Sequence, residues 1–600
     1  MDRINEEHEH ILIGVAWPYA SADIHQGNVT GSYLPADIYA RYHRLKGNHV
    51  LMVSGSDSHG TPVTVKAEAE GKQPKEVFDY YHHRFLELFQ RLGLTYDLFT
   101  HTDTENHIQV SQDLFLALLE NGFMFPKVTA QLYSAKANMF LPDRYVEGVC
   151  PVCGYERARG DQCDNCNTLF ETASELINPR SNLDDTTLEL RDTEHFFLDL
   201  GKLADAGIAE WIADDKEHWR PQVINFARNL VLKEGLHARA ITRDMEWGIP
   251  VPVEGWQNKV LYVWFEAVIG YLSASIEWAK NQGQPELWKQ WWYDTRARSS
   301  YFIGKDNIPF HSIFWPSQLF GAGRLYESDE SLRLNLPYDV PANEYMNMEG
   351  RKISGSLQWG VLMLEALDRY DPDPLRYYLT VAMPETRDSD WTWEGFVTRN
   401  NSELVANWGN LVNRVLNMTG RYFAGQVPDP GKLTDPDLTL LADVEAGFVE
   451  VGALFDACKF RAALQESMAL ATRVNQYLEE TKPWKTAASD RAATARSLYT
   501  AIQAINGLKI LFAPVLPFSC QATHEMLGEE GNLFGRQVVE TYQEENKNHL
   551  GLTYDGSLAI GEWRSSEIPA GRKLPKPWPL FKKLDPSVAE EEIDRLQTRS

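Results

Sequence analysis

Continuous apolar runs and amphipathic segments alternate along the first hundred residues of the chain. Residues 11–16 and 50–53 are short apolar runs bounded by turn residues, which is typical of strands buried on both faces. Helical patterns follow these runs, one after His25 and one across 78–94. Because strands that alternate with helices usually form a parallel sheet with right-handed crossovers, this part of the chain predicts a Rossmann-type, doubly wound α/β domain.

The alternating pattern is interrupted between 133 and 178, where turn residues and four cysteines replace the periodic apolar positions. Strand-like runs return at 260–265 and 300–303, and helical sequence follows each of them. The simplest arrangement is one α/β domain that is split by an inserted domain.

From about Trp393 onward the apolar positions follow helical spacing alone. The clearest apolar stripes comprise Phe448, Val451, Phe455 and Cys458, then positions within 460–478, then positions within 498–512. Spacings of three and four residues place such positions on one face of a helix. We therefore predict an α-helical bundle over 393–535, whereas the turn-rich and charged sequence after Gly535 indicates no particular element.

The composition is that of a globular protein with several domains, because 600 residues exceed a single core and 43% of them are hydrophobic. The acidic N-terminal sequence MDRINEEHEH lacks the layout of a signal peptide, and no run of about 18 apolar residues provides a membrane span. We expect a cytoplasmic protein that does not contact membranes. The net charge of −26 argues against indiscriminate nucleic-acid binding, although a local basic surface would still allow a specific RNA partner.

Four of the six cysteines form two CxxC pairs, Cys150 with Cys153 and Cys163 with Cys166. Two such turns offer four thiolates, which is the complete tetrahedral shell of a zinc knuckle. Because four thiolates leave no open position for a substrate, we predict one structural, non-catalytic Zn²⁺. The cysteine content also fits a reducing compartment better than a disulfide framework.

Two distant segments carry the candidate chemistry. Residues 18–28, PYASADIHQGN, follow a predicted buried strand and start a helix, a geometry that presents backbone N–H groups to phosphate. Residues 348–356, MEGRKISGS, form a small-residue loop with two adjacent cations, which suits an oligophosphate. Together the two segments resemble the HIGH and KMSKS signatures of the class I aminoacyl-tRNA synthetases.

Further strings make the chain similar to the methionyl family within that class. They are GSDSHGTP at 55–62, WGIPVP at 247–252, VWFEAVIGY at 263–271, FIGKDNIPFHSIFW at 302–315 and NLVNR at 410–414. The resemblance covers roughly 10–535. It implies activation of methionine with ATP and Mg²⁺ to methionyl-adenylate and diphosphate, followed by transfer to the 3′ end of methionine tRNA, the initiator tRNA included.

The resemblance also implies a division of the chain into six parts. A first catalytic half at 1–120 and a second half at 231–345 flank an inserted connective domain with the zinc knuckle at 121–230. They are followed by a KMSKS-like loop and stem-contact region at 346–392, a helical anticodon-binding domain at 393–535 and a C-terminal extension at 536–600. Since we find no appended C-terminal tRNA-binding domain, we expect a monomer.

For methionine, the resemblance implies a pocket of largely aromatic side chains. Its members are Trp17 (through its backbone), Tyr19, Asp57, Trp264, Val268, Tyr271 and His311. Asp57 would bind the substrate ammonium group, and the rings would contact the thioether, where each sulfur–aromatic contact contributes about 0.3–1.5 kcal/mol. Val268 stands where the family often has proline.

For ATP, the resemblance implies a site built from both signatures. It comprises His25, Gly27, Asn28, Gly304, Asp306, Lys352 and Gly355, with His25, Asn28 and Lys352 as the catalytic residues. Asn28 replaces the second histidine of the first signature, and Gly355 replaces the second lysine of the other. Because that lysine normally stabilises charge on the transferring phosphates, we expect Lys352 and Arg351 to supply the charge instead.

For tRNA, the resemblance implies that Asn410, Arg414, Pro483 and Trp484 recognise the anticodon, with Trp484 as a platform for an unstacked base. Without the resemblance, Pro483 and Trp484 would be interpreted as a helix end with a capping contact. Two alternatives to the methionyl assignment stay open. One is a class I synthetase for another apolar amino acid, and the other is a non-catalytic paralogue that binds tRNA, which Gly355 suggests.

Overall fold

The computed structural model of the protein describes residues 8–136, 139–141, 145–160, 162–166, 168, 170, 172–181, 188–353 and 359–599. Gly355, a member of the expected ATP site, lies outside the described residues. The largest sheet within them has seven strands, which in spatial order are Ala342–Asn343, Arg298–Gly304, His10–Val15, His49–Ser56, Leu98–His101, Asn548–Asp555 and Arg536–Gln543. The first five strands are parallel to one another, so the predicted doubly wound α/β fold is confirmed.

The strand His10–Val15 lies near the middle of this sheet, and its side chains are buried at Ile11, Leu12, Ile13 and Val15. Gly14 stands opposite Tyr301 on the neighbouring strand, and a Cβ atom there would lie 2.5 Å from the Tyr301 ring. Glycine is therefore required for this ring to cross the strand. The helices of this half are Gln26–Asn28, Val29–Tyr33, Leu34–Leu45, Thr61–Glu70, Pro74–Leu92, Glu105–Glu120, Val263–Glu266, Ala267–Ile269, Gly270–Asn281, Lys289–Trp292, Lys305–Asn307, Phe310–Phe314 and Trp315–Ala322.

Small antiparallel sheets form the insertion. One contains Arg239–Ala240, Glu189–Leu198, Met124–Ser134 and Met139–Phe140, and another contains Ala158–Arg159, Val146–Val149 and Ile177–Ser181. The accompanying helices are Ala173–Glu175, Leu200–Leu203, Ala204–Ile208, Ala209–Ala213, Pro221–Asn229 and Leu230–Glu234.

The strand predicted at 260–265 is wrong beyond its first two residues. The strand is Val260–Leu261, paired with Thr242–Arg243, and a helix starts at Val263. A short apolar run does not distinguish a buried strand from a buried helix, and here the run contains one of each.

A fourth small sheet precedes the helical half of the chain. It consists of Arg351–Lys352, Met346–Met348 and Ser389–Trp391. The helices from there on are Met363–Leu367, Pro372–Val381, Trp393–Arg399, Asn400–Gly409, Asn410–Phe423, Asp435–Asp456, Phe460–Thr481, Pro483–Thr486, Arg491–Phe512, Pro517–Met526 and Ser587–Arg599. The helical stripe predicted through Cys458 is wrong at that residue. The helix ends at Asp456, and Cys458 has a φ of 52°, so it is a buried turn residue.

Side chains of the helical half and of the large sheet belong to one continuous hydrophobic core. Arg376 is buried inside it, where its guanidinium donates hydrogen bonds to Asp37 (2.7 Å) and to the carbonyl groups of Pro514 (3.0 Å) and Val515 (2.8 Å). A buried charge needs such complete pairing, so this side chain joins the two halves firmly. Among the described helices, none is both long and apolar enough to cross a membrane.

The last two strands of the large sheet form what we call the C-terminal hairpin, residues 536–555. Asn548–Asp555 runs antiparallel to Leu98–His101, with Leu552 opposite Phe99, and Arg536–Gln543 forms the outer edge. The chain therefore returns to its first domain after the helical half. The sequence after Gly535 did not indicate this return.

Candidate active site

His25 caps the helix that starts within the first signature, at Gln26. Its Nδ1 accepts hydrogen bonds from the backbone N–H groups of Gly27 (3.1 Å) and Asn28 (3.3 Å). The amide oxygen of Asn28 in turn accepts a hydrogen bond from the backbone N–H of His25 at 3.1 Å. This reciprocal capping box satisfies N–H groups that a helix start would otherwise leave unpaired. Asn28 therefore has a structural contact in addition to any contact with phosphate.

The same contacts hold His25 in its neutral form. A proton on Nδ1 would face two N–H donors, and burial lowers the pKa of His25 to about 4. The proton of the neutral ring therefore sits on Nε2, which makes that atom a hydrogen-bond donor.

The two signatures meet in space, partly through the segment that follows the second one. The N–H of Gln26 donates to the carbonyl of Val361 at 3.0 Å, and the N–H of Val361 donates to Gln26 Oε1 at 2.7 Å. A Cβ atom on Gly27 would lie 2.9 Å from Ile353, the neighbour of Lys352. Gly27 thus allows the second loop to approach the first closely.

A tight turn presents the second signature. Glu349 and Gly350 have φ values of 48° and 72° between the strands Met346–Met348 and Arg351–Lys352, as in a type I′ turn. The carboxylate of Asp390 accepts the N–H of Gly350 at 3.0 Å and holds this turn.

The two adjacent cations of this loop point to different surroundings. Lys352 lines the large cavity described below, with Nζ 5.2 Å from the ring centroid of Tyr345. The Arg351 guanidinium instead stacks on Trp359 at 4.0 Å, and Arg351 is not part of the described cavity wall. This placement argues against the expected contribution of Arg351 to phosphate binding.

At the inner end of the cavity, Tyr271 and His311 form an uncharged pair. The carbonyl of Asn307 accepts a hydrogen bond from His311 Nδ1 at 3.0 Å, so Nε2 is left to accept the hydroxyl proton of Tyr271 at 2.7 Å. Burial lowers the pKa of His311 to about 4. Both side chains are neutral at pH 7.

Asp57 is buried at the carboxyl end of the strand His49–Ser56. Its N–H donates to the carbonyl of Pro18 at 2.8 Å, and its carbonyl accepts the N–H of Ala20 at 3.1 Å, which fixes Asp57 beside Tyr19. Burial, reinforced by the nearby carboxylate of Glu266, raises the pKa of Asp57. A cation bound beside Asp57 would therefore stabilise the ionised carboxylate.

Aromatic rings form the walls next to Asp57. Trp264 Nε1 donates to the hydroxyl of Tyr19 at 2.7 Å, and its ring meets Phe310 edge-on at 4.3 Å between centroids. Trp17 packs its ring against Gly55 and Gly270, where Cβ atoms would lie 2.2 Å and 2.5 Å from that ring. Val268 is buried in the same wall.

Gly304 and Asp306 lie at the end of the strand Arg298–Gly304. A Cβ atom on Gly304 would meet nothing within 4 Å, so the cavity is open above this backbone. The Asp306 carboxylate accepts a hydrogen bond from the hydroxyl of Tyr345, and burial raises its pKa. Lys305 forms ion pairs away from it, at 2.7 Å to Glu344 and 2.9 Å to Asp388.

One cavity of about 1540 Å³ joins these residues. Apart from Arg351, every described residue that the sequence assigned to catalysis, ATP or methionine lines it: Trp17, Tyr19, His25, Gly27, Asn28, Asp57, Trp264, Val268, Tyr271, Gly304, Asp306, His311 and Lys352. Sequence reasoning missed Phe310 and Tyr345, and it also missed the knuckle residues Tyr155, Arg157 and Arg159 on the cavity wall. Phe310 lies within a quoted family string, whereas no local pattern places the knuckle over the cavity.

The four knuckle cysteines converge on one point. Their Sγ atoms all lie within 4.8 Å of one another, with 3.8 Å between Cys150 and Cys166 and 3.6 Å between Cys153 and Cys163. A tetrahedral zinc with Zn–S bonds of about 2.3 Å places sulfur atoms about 3.8 Å apart. The geometry and the donor set are therefore compatible with one zinc ion.

Arg414 and Trp484 share a surface groove of about 340 Å³ in the helical half. The Arg414 guanidinium lies 5.4 Å from the Trp484 ring centroid and binds Glu479 at 2.9 Å. Asn410 is exposed one turn before Arg414, and Pro483 is buried beside Trp484, but neither lines the groove. The groove also contains Asn417, Met418, Arg421 and Tyr422, which sequence reasoning missed.

Known proteins resemble this chain along its whole length. The family model described as tRNA synthetases class I (M) matches residues 11–416, and the model described as the anticodon binding domain of methionyl tRNA ligase matches 427–549. A methionine–tRNA ligase from Thermomicrobium roseum is 53% identical over 99% of this chain and 100% of its own length. The corresponding ligase from Roseiflexus castenholzii is 51% identical over 98% and 99%.

Solved structures share the fold. Mycobacterium tuberculosis methionyl-tRNA synthetase bound by methionyl-adenylate superimposes with a TM-score of 0.73 at 23% identity, covering 96% of this chain and 100% of that one. A second structure of that enzyme in complex with methionyl-adenylate gives a TM-score of 0.74 at 24% identity, covering 96% and 99%.

Proposed function

The chain belongs to the class I methionyl-tRNA synthetase family, and we propose that its large cavity converts methionine and ATP to methionyl-adenylate and then transfers the methionyl group to methionine tRNA. The observation that carries this proposal is the convergence of both signatures and the aromatic pocket on a single cavity. Segments that are hundreds of residues apart in sequence meet there, as an adenylation site for two substrates requires.

We propose that methionine binds with its ammonium group on Asp57 and its side chain toward Tyr271 and His311. The raised pKa of Asp57 means that a buried cation would stabilise the ionised carboxylate. The neutral Tyr271–His311 pair places no charge against the thioether, and the rings of Trp17 and Trp264 supply polarizable walls. Leucine would lose these sulfur contacts.

We propose that the ATP phosphates lie over the first helix start. His25 Nε2 would donate to phosphate oxygen, Lys352 would supply positive charge, and Asp306 and Gly304 would face the ribose side. The methionine carboxylate attacks the α-phosphorus and diphosphate leaves, so the residues position and stabilise charge without forming a covalent bond. Mg²⁺ would enter with ATP, bound chiefly by phosphate oxygens, and would neutralise their charge.

We propose that one structural Zn²⁺ is bound by Cys150, Cys153, Cys163 and Cys166. The sulfur distances support this assignment, and the metal would hold the knuckle whose arginines face the cavity. Elemental analysis of the purified protein tests it, with one zinc per chain expected. Cys163→Ala should lower that content, whereas Cys458→Ala, outside the cluster, should not. Native protein without zinc would refute the assignment.

We propose that the groove at Arg414 and Trp484 binds the anticodon, with Asn410 and Pro483 at its border. A half-buried indole beside a guanidinium is suited to stacking an unpaired base. We further propose the domain boundaries given above, a monomer, and a cytoplasmic location.

Methionine-dependent exchange of diphosphate into ATP tests the activity. We expect exchange with methionine and much less with leucine or isoleucine, because single contacts of methylene size discriminate by only about 1–3 kcal/mol and several act together here. Equal exchange with leucine would refute the methionine assignment. No exchange with any amino acid, combined with intact tRNA binding, would favour a non-catalytic paralogue.

A further inference from the structure

The turn of the C-terminal hairpin is fastened to the first domain by reciprocal contacts. The carboxylate of Glu544 accepts the backbone N–H groups of Glu105 (3.0 Å) and Asn106 (3.1 Å), at the start of the helix Glu105–Glu120. The carboxylate of Glu105 accepts the N–H of Glu545 at 2.9 Å. Such contacts fix the hairpin turn as firmly as a helix cap.

A first hydrogen-bonded path leads from the hairpin to the residue before Asp57. The carbonyl of Leu550 accepts a hydrogen bond from His82 Nε2 at 2.9 Å, so His82 Nδ1 accepts the hydroxyl proton of Ser56 at 2.8 Å. Both His82 and Ser56 are buried. Burial lowers the pKa of His82, so the ring stays neutral and keeps this donor–acceptor order.

A second path leads from the hairpin to the residue after Asp57. Lys547 Nζ lies 3.2 Å from Asp103 Oδ1. The adjacent Thr102 accepts the backbone N–H of Ser58 on its hydroxyl at 2.9 Å and donates its own N–H to the carbonyl of Ser56 at 3.1 Å. Both neighbours of Asp57 are therefore held by groups that contact the hairpin directly or through one residue.

We propose that the C-terminal hairpin is a positioning element of the methionine pocket: Lys547, through Asp103, and Leu550, through His82, hold the turn that carries Asp57. The inference rests on the proposed binding of the substrate ammonium group by Asp57. Misplacement of a charged group by about 1 Å is enough to weaken a buried ionic contact, so an element outside the pocket can set its affinity.

Electrostatics around Asp57 supports the same path. Asp103 Oδ1 lies 3.9 Å from His59 Nε2, and His59 Nδ1 lies 3.1 Å from the buried carboxylate of Glu266. Glu266 is one of the two causes that raise the pKa of Asp57. Asp103, the ion-pair partner of Lys547, thus stands at one end of a row of polar groups that ends at Asp57.

The test compares two ligands that differ in one group. Methioninol keeps the ammonium group, and 4-(methylthio)butanol lacks only that group. We expect Lys547→Met to weaken methioninol binding on the order of fivefold while the affinity for 4-(methylthio)butanol changes by less than about 1.5-fold. Ser56→Ala removes the hydrogen bond between the turn and His82, and it should change the two affinities in the same way. Equilibrium binding is measured on the full chain.

Arg536→Met is the matched control. It also removes a basic side chain of the hairpin that forms an ion pair (3.3 Å to Asp555), but Arg536 lies at the open end of the hairpin, opposite the turn that carries Lys547. It should leave both affinities unchanged. If Lys547→Met lowers the unfolding midpoint but leaves methioninol affinity at the wild-type value, or weakens both ligands equally, the hairpin is merely structural and the inference is overturned. If the wild-type protein binds both ligands equally, the proposed role of Asp57 itself fails.

Discussion

Two substitutions of His25 separate its contact with the helix start from its proposed contact with the substrate. His25→Ala removes the Nδ1 acceptor for Gly27 and Asn28 as well as the Nε2 donor that faces the cavity. His25→Asn keeps a capping acceptor, because asparagine is among the best helix caps, but it removes the ring donor. The two variants therefore share one loss and differ in the other.

The expected sizes of the two losses differ. Loss of the cap should destabilise His25→Ala by about 1 kcal/mol, while His25→Asn should stay within about 0.5 kcal/mol of the wild-type protein. Loss of a donor to the charge that develops on the transferring phosphates should cost about 3–4 kcal/mol of transition-state stabilisation, or roughly a factor of 100 to 1000, in both variants. Methionine affinity should not change, since His25 is not among the residues of the proposed methionine pocket.

Urea unfolding measures the first loss, and single-turnover formation of methionyl-adenylate at saturating methionine measures the second. A wild-type rate in His25→Asn would show that the ring donor does not act on the phosphates. Equal stability of the two variants would contradict the capping role.

Three further outcomes follow from the described geometry. Lys352→Ala should slow adenylate formation more than about tenfold in single-turnover assays. Arg351→Ala loses only a stacking contact with Trp359, so it should slow the reaction by less than about twofold. Equal effects of the two substitutions would contradict the placement of the two cations. Burial lowers the pKa of His311 to about 4 and of His82 to about 3, below the unfolded value, so their stabilising effect is present above about pH 6.5 and is lost as the pH falls. Each of these two histidines should make the free energy of unfolding about 2 kcal/mol lower at pH 5 than at pH 7.5. Equal free energies of unfolding at the two pH values, measured with urea, would refute this. Trp484→Ala should reduce charging of methionine tRNA at least about tenfold and leave diphosphate exchange unchanged. Loss of both activities would mean that Trp484 stabilises the fold and does not bind the anticodon.

Local patterns in the sequence determined much of the architecture. The spacing of three and four residues predicted the long helices that the structure has as Phe460–Thr481 and Arg491–Phe512, and the apolar runs predicted His10–Val15 and His49–Ser56. The CxxC spacing predicted the cysteine cluster, because each CxxC turn is formed by residues that are neighbours in sequence. Such signals are local: the residues that interact are neighbours in sequence.

Only the tertiary structure decided which distant segments meet. No periodicity indicates that Val361 pairs with Gln26, or that Arg351 stacks on Trp359 while Lys352 faces the cavity. Both neighbouring side chains are cations, so their residue types alone do not distinguish their directions.

The C-terminal hairpin is the clearest example of this limit. The outer strand Arg536–Gln543 is largely exposed and polar, so it lacks the alternation by which a strand is recognised from sequence. Its place in the sheet depends on the pairing of Asn548–Asp555 with Leu98–His101, more than four hundred residues away. Pairing of this kind is stabilised by backbone hydrogen bonds and by buried partners such as His82 and Glu277, which come together only when the whole chain is folded.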